Sequence, residues 1–347
     1  MRIICQLPTD DWDRAAARAK WAEDAGYDGV TTSELAHDPF MPLALAAKAT
    51  EHVALGTSIA VAFPRSPMIM ANIGWDLNAQ SGGRFELGLG SQVKGHNERR
   101  FSTPWVAPVP RLREYVEAMR AIWRCWENGE KLNFEGEHYR FTLMTPEFSP
   151  PKAGVRPPPI TVAAVGPDML RMAGRVADGV RLHGFCTRKY IENVCMPRVE
   201  EGMARSGRIR PAFEVSGGGF IATGPDAAAV QAKLDWVRYR VGFYGSTRTY
   251  LPVFEQHRLE DLGLKLHKLS VEGKWNELAA QVSDDVARLF AAVGDYEALP
   301  AAAEERYGGV VTLRLDLPDD IDPDRHRDLV AKLKAIPSRF EAFAAAA

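Results

Sequence analysis

The sequence predicts an α/β protein in which eight parallel strands close into a barrel, with helices on the outside. Short apolar segments alternate with longer segments of helical periodicity along the 347 residues, and this alternation is typical of (β/α)8 barrels. No Gly-x-Gly-x-x-Gly loop follows the first strand, although such a loop is typical of the competing open, doubly wound sheet. We therefore predict a barrel of the TIM type.

Each predicted strand is a short, mostly apolar run bounded by helical or turn-forming segments. In chain order the eight runs are "RIICQL", "YDGVTTSE", "VALGTSIAVAF", "RFELGLGS", "PPPITVAAV", "DGVRLHGF", "AFEVSGGGFIATG" and "YGGVVTLRLDL". The carboxyl ends of parallel strands lie on one rim of a barrel, and the chemistry of such folds is found there. The residues that end these runs are therefore the candidates for a functional site.

The segments between the strands have the apolar spacing of amphipathic helices, and several of them end at glycine. The first five are "DWDRAAARAKWAEDAG", "PLALAAKATEH", "PMIMANIGWDLNAQSGG", "VPRLREYVEAMRAIWRCW" and "DMLRMAGRVA". In the fourth helix, Leu112, Val116, Met119 and Trp123 recur on one face. This spacing predicts that the helix packs that face against the barrel.

The chain shows neither an internal repeat nor a linker typical of two domains. We therefore predict one domain over residues 1–347, with two insertions. The first, at about residues 128–150, contains a predicted hairpin. The second, at about residues 226–306, is mostly helical, precedes strand eight, and is about 60 residues longer than one barrel helix requires.

Composition restricts the classes of function. With 43 basic and 45 acidic residues the net charge is -2, which disfavours a nucleic-acid or membrane-surface protein. The four cysteines are scattered, as expected for reduced thiols in the cytoplasm. Neither a signal peptide nor a run of ~20 apolar residues is apparent. The eight histidines include no His-Glu-x-x-His motif, so we predict no metal site.

The third predicted strand has small polar residues in its interior. Gly56, Thr57 and Ser58 interrupt an otherwise apolar run that ends at "PRSP". Small residues in a strand mark places where another group approaches the backbone closely. The other strand ends are likewise rich in glycine and hydroxyl groups and poor in paired carboxylates. This pattern favours a large planar cofactor lying on the backbone over hydrolysis.

The segment "AAVGPDMLRMAG" predicts an anion site between strand five and the next helix. Gly166 and Pro167 begin the helix, because proline fits a first helical turn. The N–H groups of Asp168 and Met169 then point out of the helix start and are suited to binding a phosphate. The alternative is an ordinary helix start in which Asp168 is only an acidic residue near the cap.

Four segments together resemble one family. They are "LGTSIAVAFPRSP", "QSGGRFELGLGSQ", "AAVGPDMLRMAGRVADGV" and "RYGGVVTLRL". They resemble, in order, segments of the bacterial luciferase-like monooxygenases, and the third resembles the branch that uses the deazaflavin coenzyme F420. The similarity extends over about residues 2–317. It implies a TIM-like barrel with insertions, in agreement with the strand count.

The resemblance also implies roles for residues at the strand ends. In deazaflavin-dependent members the third strand holds a non-prolyl cis peptide against the tricyclic ring, and here it would fall between Ser58 and Ile59. Glu34 stands where the family has an acid near the polar edge of the ring. Leu35 and Val93 replace the histidine and glutamate of the sugar-phosphate dehydrogenase branch. Oxidation of a sugar phosphate is therefore not expected.

The loop "SQVKGHNERRF" is predicted to contribute to the same site. Ser91 and Gln92 are expected to hydrogen-bond the cofactor, and His96 is a candidate for proton transfer. Glu34, His37 and His183 are further candidates for handling the proton, and His183 also ends strand six beside the cofactor. The basic residues of this loop are expected either to bind the acidic end of the coenzyme or to form a solvated helix start; they are Lys94, Arg99 and Arg100.

The function that these observations predict is hydride transfer between carbon five of coenzyme F420 and a small organic substrate. An FMN-dependent monooxygenase on the same fold is one alternative. A deazaflavin-binding carrier or sensor without turnover is another. The second and third helices, "PLALAAKATEH" and "PMIMANIGWDLNAQ", are apolar beyond one narrow stripe, so we also predict a homodimer.

Overall fold

The computed structural model describes residues 1–344 and shows a nearly closed barrel of eight parallel strands. The strands of the described chain are β1 (Ile3–Gln6), β2 (Gly29–Thr32), β3 (Ala54–Thr57), β4 (Ala60–Val61), β5 (Phe85–Gly90), β6 (Phe134–Glu135), β7 (Arg140–Phe141), β8 (Ile160–Ala164), β9 (Gly179–Leu182), β10 (Glu214–Gly217), β11 (Phe220–Ala222), β12 (Ala291–Val293) and β13 (Leu313–Arg314). The barrel runs in the order β10-β9-β8-β5-β3-β2-β1-β13. A parallel bridge between Ser216 and Thr312 joins its two edges. The predicted fold is confirmed.

Helices surround the barrel and form most of the second insertion. They are α1 (Trp12–Asp24), α2 (Met41–Ala49), α3 (Pro67–Gln80), α4 (Lys94–Arg99), α5 (Pro108–Asn128), α6 (Pro167–Val176), α7 (Arg188–Tyr190), α8 (Met196–Ala204), α9 (Ala227–Gly245), α10 (Leu251–Glu255), α11 (Glu260–Val271), α12 (Asp284–Phe290), α13 (Leu299–Tyr307) and α14 (Pro323–Lys334). A π-helical turn at Ile191–Cys195 joins α7 to α8. Within residues 1–344, no helix is long and apolar enough to cross a membrane.

Two of the predicted strands are broken in the structure. The third divides into β3 and β4, and both parts pair with β5. The seventh divides into β10 and β11 at Gly217–Gly219, where all three glycines have positive φ. Glycine adopts this conformation readily, so the chain turns there and β11 leaves the barrel. The prediction of one continuous seventh strand was wrong for this reason.

The two insertions contain the predicted types of structure and one strand that was not predicted. In the first, β6 and β7 form an antiparallel pair. It is attached to α5 because the Glu114 carboxylate accepts hydrogen bonds from the backbone N–H groups of Glu137 and His138. In the second, α9 to α12 are followed by β12, which pairs in parallel with β11.

The outer surface of α2 and α3 exposes two large apolar side chains, Met41 and Ile69. Most of the other apolar residues of these helices pack into the core. The homodimer therefore stays a prediction.

A buried cation between two carboxylates lies at the amino-terminal end of the barrel. Arg2 hydrogen-bonds both Glu86 on β5 and Glu214 on β10, and both carboxylates are largely or wholly buried. Burial opposes ionisation of the guanidinium, but the two carboxylates outweigh it and raise the pKa of Arg2. The two carboxylates can be buried next to each other because the one arginine forms an ion pair with each of them.

Replacing this arginine should destabilise the fold strongly. In an Arg2→Met variant two buried carboxylates would face each other without a cation, and we expect the free energy of unfolding to fall by about 3 kcal/mol. Urea unfolding at pH 7 measures the change. An Arg14→Met variant, which changes an exposed arginine, should lose much less than this. Equal losses in the two variants would contradict a structural role for the buried pair.

Candidate functional site

The predicted site residues lie at or just after the carboxyl ends of β2, β3, β5, β8 and β9. The peptide bond between Ser58 and Ile59 is cis, as the family resemblance implies. Residues at the end of β2 and just after it hydrogen-bond the backbone on both sides of this peptide bond. Ser58 N donates to Thr32 O at 2.6 Å, Ser33 Oγ donates to Ser58 O at 2.8 Å, and Glu34 N donates to Ile59 O at 3.1 Å.

Glycines in β5 allow it to approach β3 unusually closely. A Cβ atom on Gly88 would lie 1.9 Å from the carbonyl oxygen of Thr57, so no other residue fits there without moving the strands. The Thr57 hydroxyl also bridges both backbone groups of Gly88, donating to its O at 2.7 Å and accepting from its N at 2.9 Å. A Cβ on Gly90 would lie 2.7 Å from Cδ1 of Ile59 and 3.5 Å from Cβ of Ala163.

The lack of a side chain on Gly90 therefore makes room for the side chain of Ile59, which packs against it. Gly90 is buried, whereas Ser58, Ile59 and Ala163 are half-buried and form part of the surface of the rim. This surface of small and apolar groups is suited to a flat ring. The small residues of the third and fourth predicted strands thus have one cause, which is the close packing of β3 and β4 against β5.

Glu34 is not a free acid at the rim. It is 8% exposed, and Oε2 accepts from Val61 N at 2.7 Å and from Arg65 Nη1 at 2.8 Å. Arg65 also pairs with Asp38 at 3.0 Å. Burial opposes its charge, but the two carboxylates raise the pKa of Arg65. Glu34 therefore holds the turn after β4 in place, and sequence reasoning missed Arg65 as its partner.

The other two catalytic candidates, unlike Glu34, are exposed. His37 lies in the loop after β2 and His96 on α4. Among the described residues, neither side chain hydrogen-bonds Glu34. The two loops still touch, because the Arg100 side chain donates to Leu35 O.

The loop after β5 is held by a residue that the sequence analysis did not single out. Asn97 is fully buried, and its amide donates to Ser91 O at 2.9 Å and to Val93 O at 3.1 Å. Gln92 has a φ of 58°, and its side-chain oxygen accepts from Val93 N at 2.9 Å. Ser91 Oγ donates to Gln92 O at 3.2 Å. The side chains of Ser91 and Gln92 are half-buried, and each hydrogen-bonds the backbone of its own loop.

The predicted anion site is an uncapped helix start. Gly166 is the N-cap of α6, Pro167 begins the helix, and no side chain caps it. Asp168 pairs with Arg171 one turn along the helix, so its carboxylate has a partner other than the free N–H groups. A Cβ on Gly166 would meet no atom within 4 Å. The start of α6, including Met169, is therefore open to a ligand.

His183 connects the rim to the second insertion. Its Nδ1 accepts from Phe185 N at 3.0 Å, and its ring packs against Tyr244 at 4.4 Å and Tyr250 at 5.0 Å between centroids. Burial, assisted by the nearby charge of Arg240, lowers the pKa of His183 to about 4. The ring is therefore neutral at pH 7, with Nε2 carrying the proton because Nδ1 is an acceptor.

Two further groups of residues lie outside the rim. A cavity of about 470 Å³ between α7, α12 and α13 is lined by Arg188, Arg288 and Arg306 among others. Arg306, 7% exposed, donates to Cys186 O and Gly218 O behind the ends of β9 and β10. Among the described residues, Glu114, Glu137 and His138 alone lie close enough together to hold a metal ion, and they belong to the hairpin attachment.

Comparison with known proteins shows the family. The sequence pattern of the luciferase-like monooxygenases matches residues 4–312, so the chain belongs to the luciferase-like monooxygenase family. An uncharacterized protein of Mycobacterium tuberculosis is 47% identical over 298 residues, which are 86% of this chain and 88% of that protein. An F420-dependent glucose-6-phosphate dehydrogenase of Intrasporangium calvum is 34% identical over 206 residues, 54% of this chain and 59% of that enzyme.

A solved structure shows the same fold. The coenzyme F420-dependent tetrahydromethanopterin reductase of Methanopyrus kandleri superposes with a TM-score of 0.75 at 22% identity, covering 95% of this chain and 96% of that chain. The match extends over nearly the full length of both chains. The barrel and its insertions are thus an arrangement that this solved structure shares.

The neutral state of His183 predicts how stability depends on pH. Its pKa of about 4 in the folded protein is below the value of about 6.5 expected in the unfolded chain. The unfolded state therefore binds the proton first as the pH falls, and stability is lost between pH 6.5 and pH 4. The contribution of this one residue amounts to about 3 kcal/mol.

A His183→Asn variant keeps an acceptor near the position of Nδ1 but does not titrate. Urea unfolding from pH 7 to pH 4 should show a smaller loss of stability in this variant than in the wild type. His326, whose pKa burial also lowers to about 4, is present in both proteins and cancels in the comparison. Parallel stability curves for the two proteins would show that His183 titrates normally.

Proposed function

We propose that this protein is an oxidoreductase that transfers a hydride between coenzyme F420 and a small organic substrate. The observation that carries the proposal is the half-buried surface of Ser58, Ile59 and Ala163 at the rim, together with the uncapped start of α6. A flat ring needs the first feature, and a phosphate needs the second. When bound, the deazaflavin supplies the carbon that accepts or donates the hydride.

The residues of the chain would bind and orient this group. Ser58, Ile59 and Gly90 would lie against the ring, and the N–H groups of Asp168 and Met169 would hold the phosphate. Ser91 and Gln92 would contact the cofactor from the loop after β5, once their side chains turn away from their own backbone. The neutral His183, with its proton on Nε2, would donate a hydrogen bond and not act as a general base.

The choice of proton-transfer group follows from the surroundings of each candidate. Glu34 is held by Val61 and Arg65, so its carboxylate already has partners within the rim. His96 and His37 are exposed and free to move toward a ligand, so one of them is the better candidate. Leu35 and Val93 are exposed apolar residues, and this supports a substrate other than a sugar phosphate.

The relatives support F420 over FMN, and a binding titration tests the choice. The glucose-6-phosphate dehydrogenase of Intrasporangium calvum is F420-dependent by name, although it matches only part of this chain. Binding is followed by the quenching of cofactor fluorescence. We expect purified protein to bind F420 at least tenfold more tightly than it binds FMN. Tight binding of FMN with oxygen consumption would support the monooxygenase instead. Tight F420 binding without turnover across a broad substrate panel would support the carrier or sensor.

Displacing Ile59 from its place at the rim should weaken cofactor binding. In a Gly90→Val variant the new side chain takes the space that Ile59 occupies, so Ile59 is pushed toward the position of the ring. We expect the affinity for the cofactor to fall at least tenfold, about 1.4 kcal/mol, as measured by the same titration. An Arg205→Met variant, which changes an exposed arginine next to α8, should keep the wild-type affinity and melting temperature. Unchanged affinity in a folded Gly90→Val variant would place the ring elsewhere.

A further inference from the structure

A buried arginine lies in the interior of the barrel, one layer below the rim residues Gly90 and Ala163. Arg181 on β9 is 6% exposed. Its Nε donates to Thr161 Oγ1 on β8 at 2.8 Å, and its Nη1 donates to Ser216 Oγ on β10 at 3.3 Å. A Cβ on Gly88 would lie 2.7 Å from the same Nε. The side chain therefore reaches across the interior from β9 as far as β5.

The positive charge of Arg181 has no direct carboxylate partner. Among residues 1–344, no carboxylate oxygen lies within 4.0 Å of its guanidinium, because Arg2 binds both Glu86 and Glu214. Its Nη2 also has no hydrogen-bond acceptor within the described chain. Burial lowers the pKa of Arg181, and the two more distant carboxylates only partly oppose this. An unpaired buried cation is costly unless something else stabilises its charge.

Arg181 lies one layer below the rim. Side chains alternate along a strand, so residues two positions further on face the same way. Two positions beyond Gly88 on β5 is Gly90, and two positions beyond Thr161 on β8 is Ala163. Both are small, and the side chain of Ile59 packs against Gly90. A ring lying on Ile59 and Ala163 would therefore have Arg181 in the layer beneath it.

We propose that Arg181 is a positioning residue that stabilises the negative charge of the reduced cofactor ring. The inference rests on the proposed function. A hydride brings one proton and two electrons, so a ring that accepted it would gain one negative charge. A fixed cation beneath the ring would favour the reduced form over the oxidised form. The protein would thereby tune the hydride equilibrium through a group that does not touch the substrate.

The test compares affinities for the two redox forms of the cofactor. Dissociation constants for oxidised and for chemically reduced F420 are measured without oxygen by equilibrium dialysis, on the wild type and on Arg181→Met. We expect the variant to lose at least tenfold more affinity for the reduced form than for the oxidised form. Arg181→Lys retains the charge and should restore most of the preference. Arg210→Met removes a largely buried arginine outside the barrel and should leave the ratio unchanged.

Each outcome separates this inference from the proposed function. If both affinities fall equally in a folded Arg181→Met variant, the inference is overturned while F420 binding by the wild type stands. If Arg181→Met does not fold, Arg181→Lys decides, because loss of the redox preference despite the retained charge would contradict an electrostatic role. If the wild type binds FMN instead of F420, the proposed function fails, and the same comparison with oxidised and reduced FMN tests Arg181. Binding of neither cofactor overturns both.

Discussion

The close contact between β3 and β5 at Thr57 and Gly88 is the constraint on which the rest of the site depends. The Thr57 hydroxyl satisfies both backbone groups of Gly88 at a point where no side chain fits. The strands then continue to the rim with Ile59 beside Gly90. A larger residue at position 88 would push the strands apart, and the rim would lose its shape.

Charge inside the barrel is arranged in two levels around this contact. At the amino-terminal end, Arg2 forms ion pairs with Glu86 and Glu214, so these three charged groups stabilise one another. Nearer the rim, Arg181 is held by two hydroxyls, which orient it without neutralising it. The first level stabilises the fold, whereas the second leaves a positive charge available to whatever binds above it. The two arginines thus differ in role because of their partners and not because of their burial.

The sequence was sufficient for the barrel because strand and helix periodicities are local signals, and the rim residues followed from the rule that strand ends converge. The division of strand seven was foreseeable from its three consecutive glycines, but β12 was not, because it pairs only once the insertion has folded. The ion pair between Arg65 and Glu34 was missed because the two residues lie 31 positions apart, and no local pattern links them. The neutral state of His183 depends on packing against Tyr244 and Tyr250, which no local pattern in the sequence reveals. The roles of His37 and His96 stay predictions, because exposed side chains on loops acquire their geometry only with a ligand.

A crystal structure of the protein soaked with F420 tests the central claim most directly. The account predicts that the ring lies at the rim against Ile59 and Gly90, above Arg181, with the phosphate within hydrogen-bond distance of the N–H groups of Asp168 and Met169. Electron density for the cofactor in the cavity between α7, α12 and α13, with the rim empty, would contradict it.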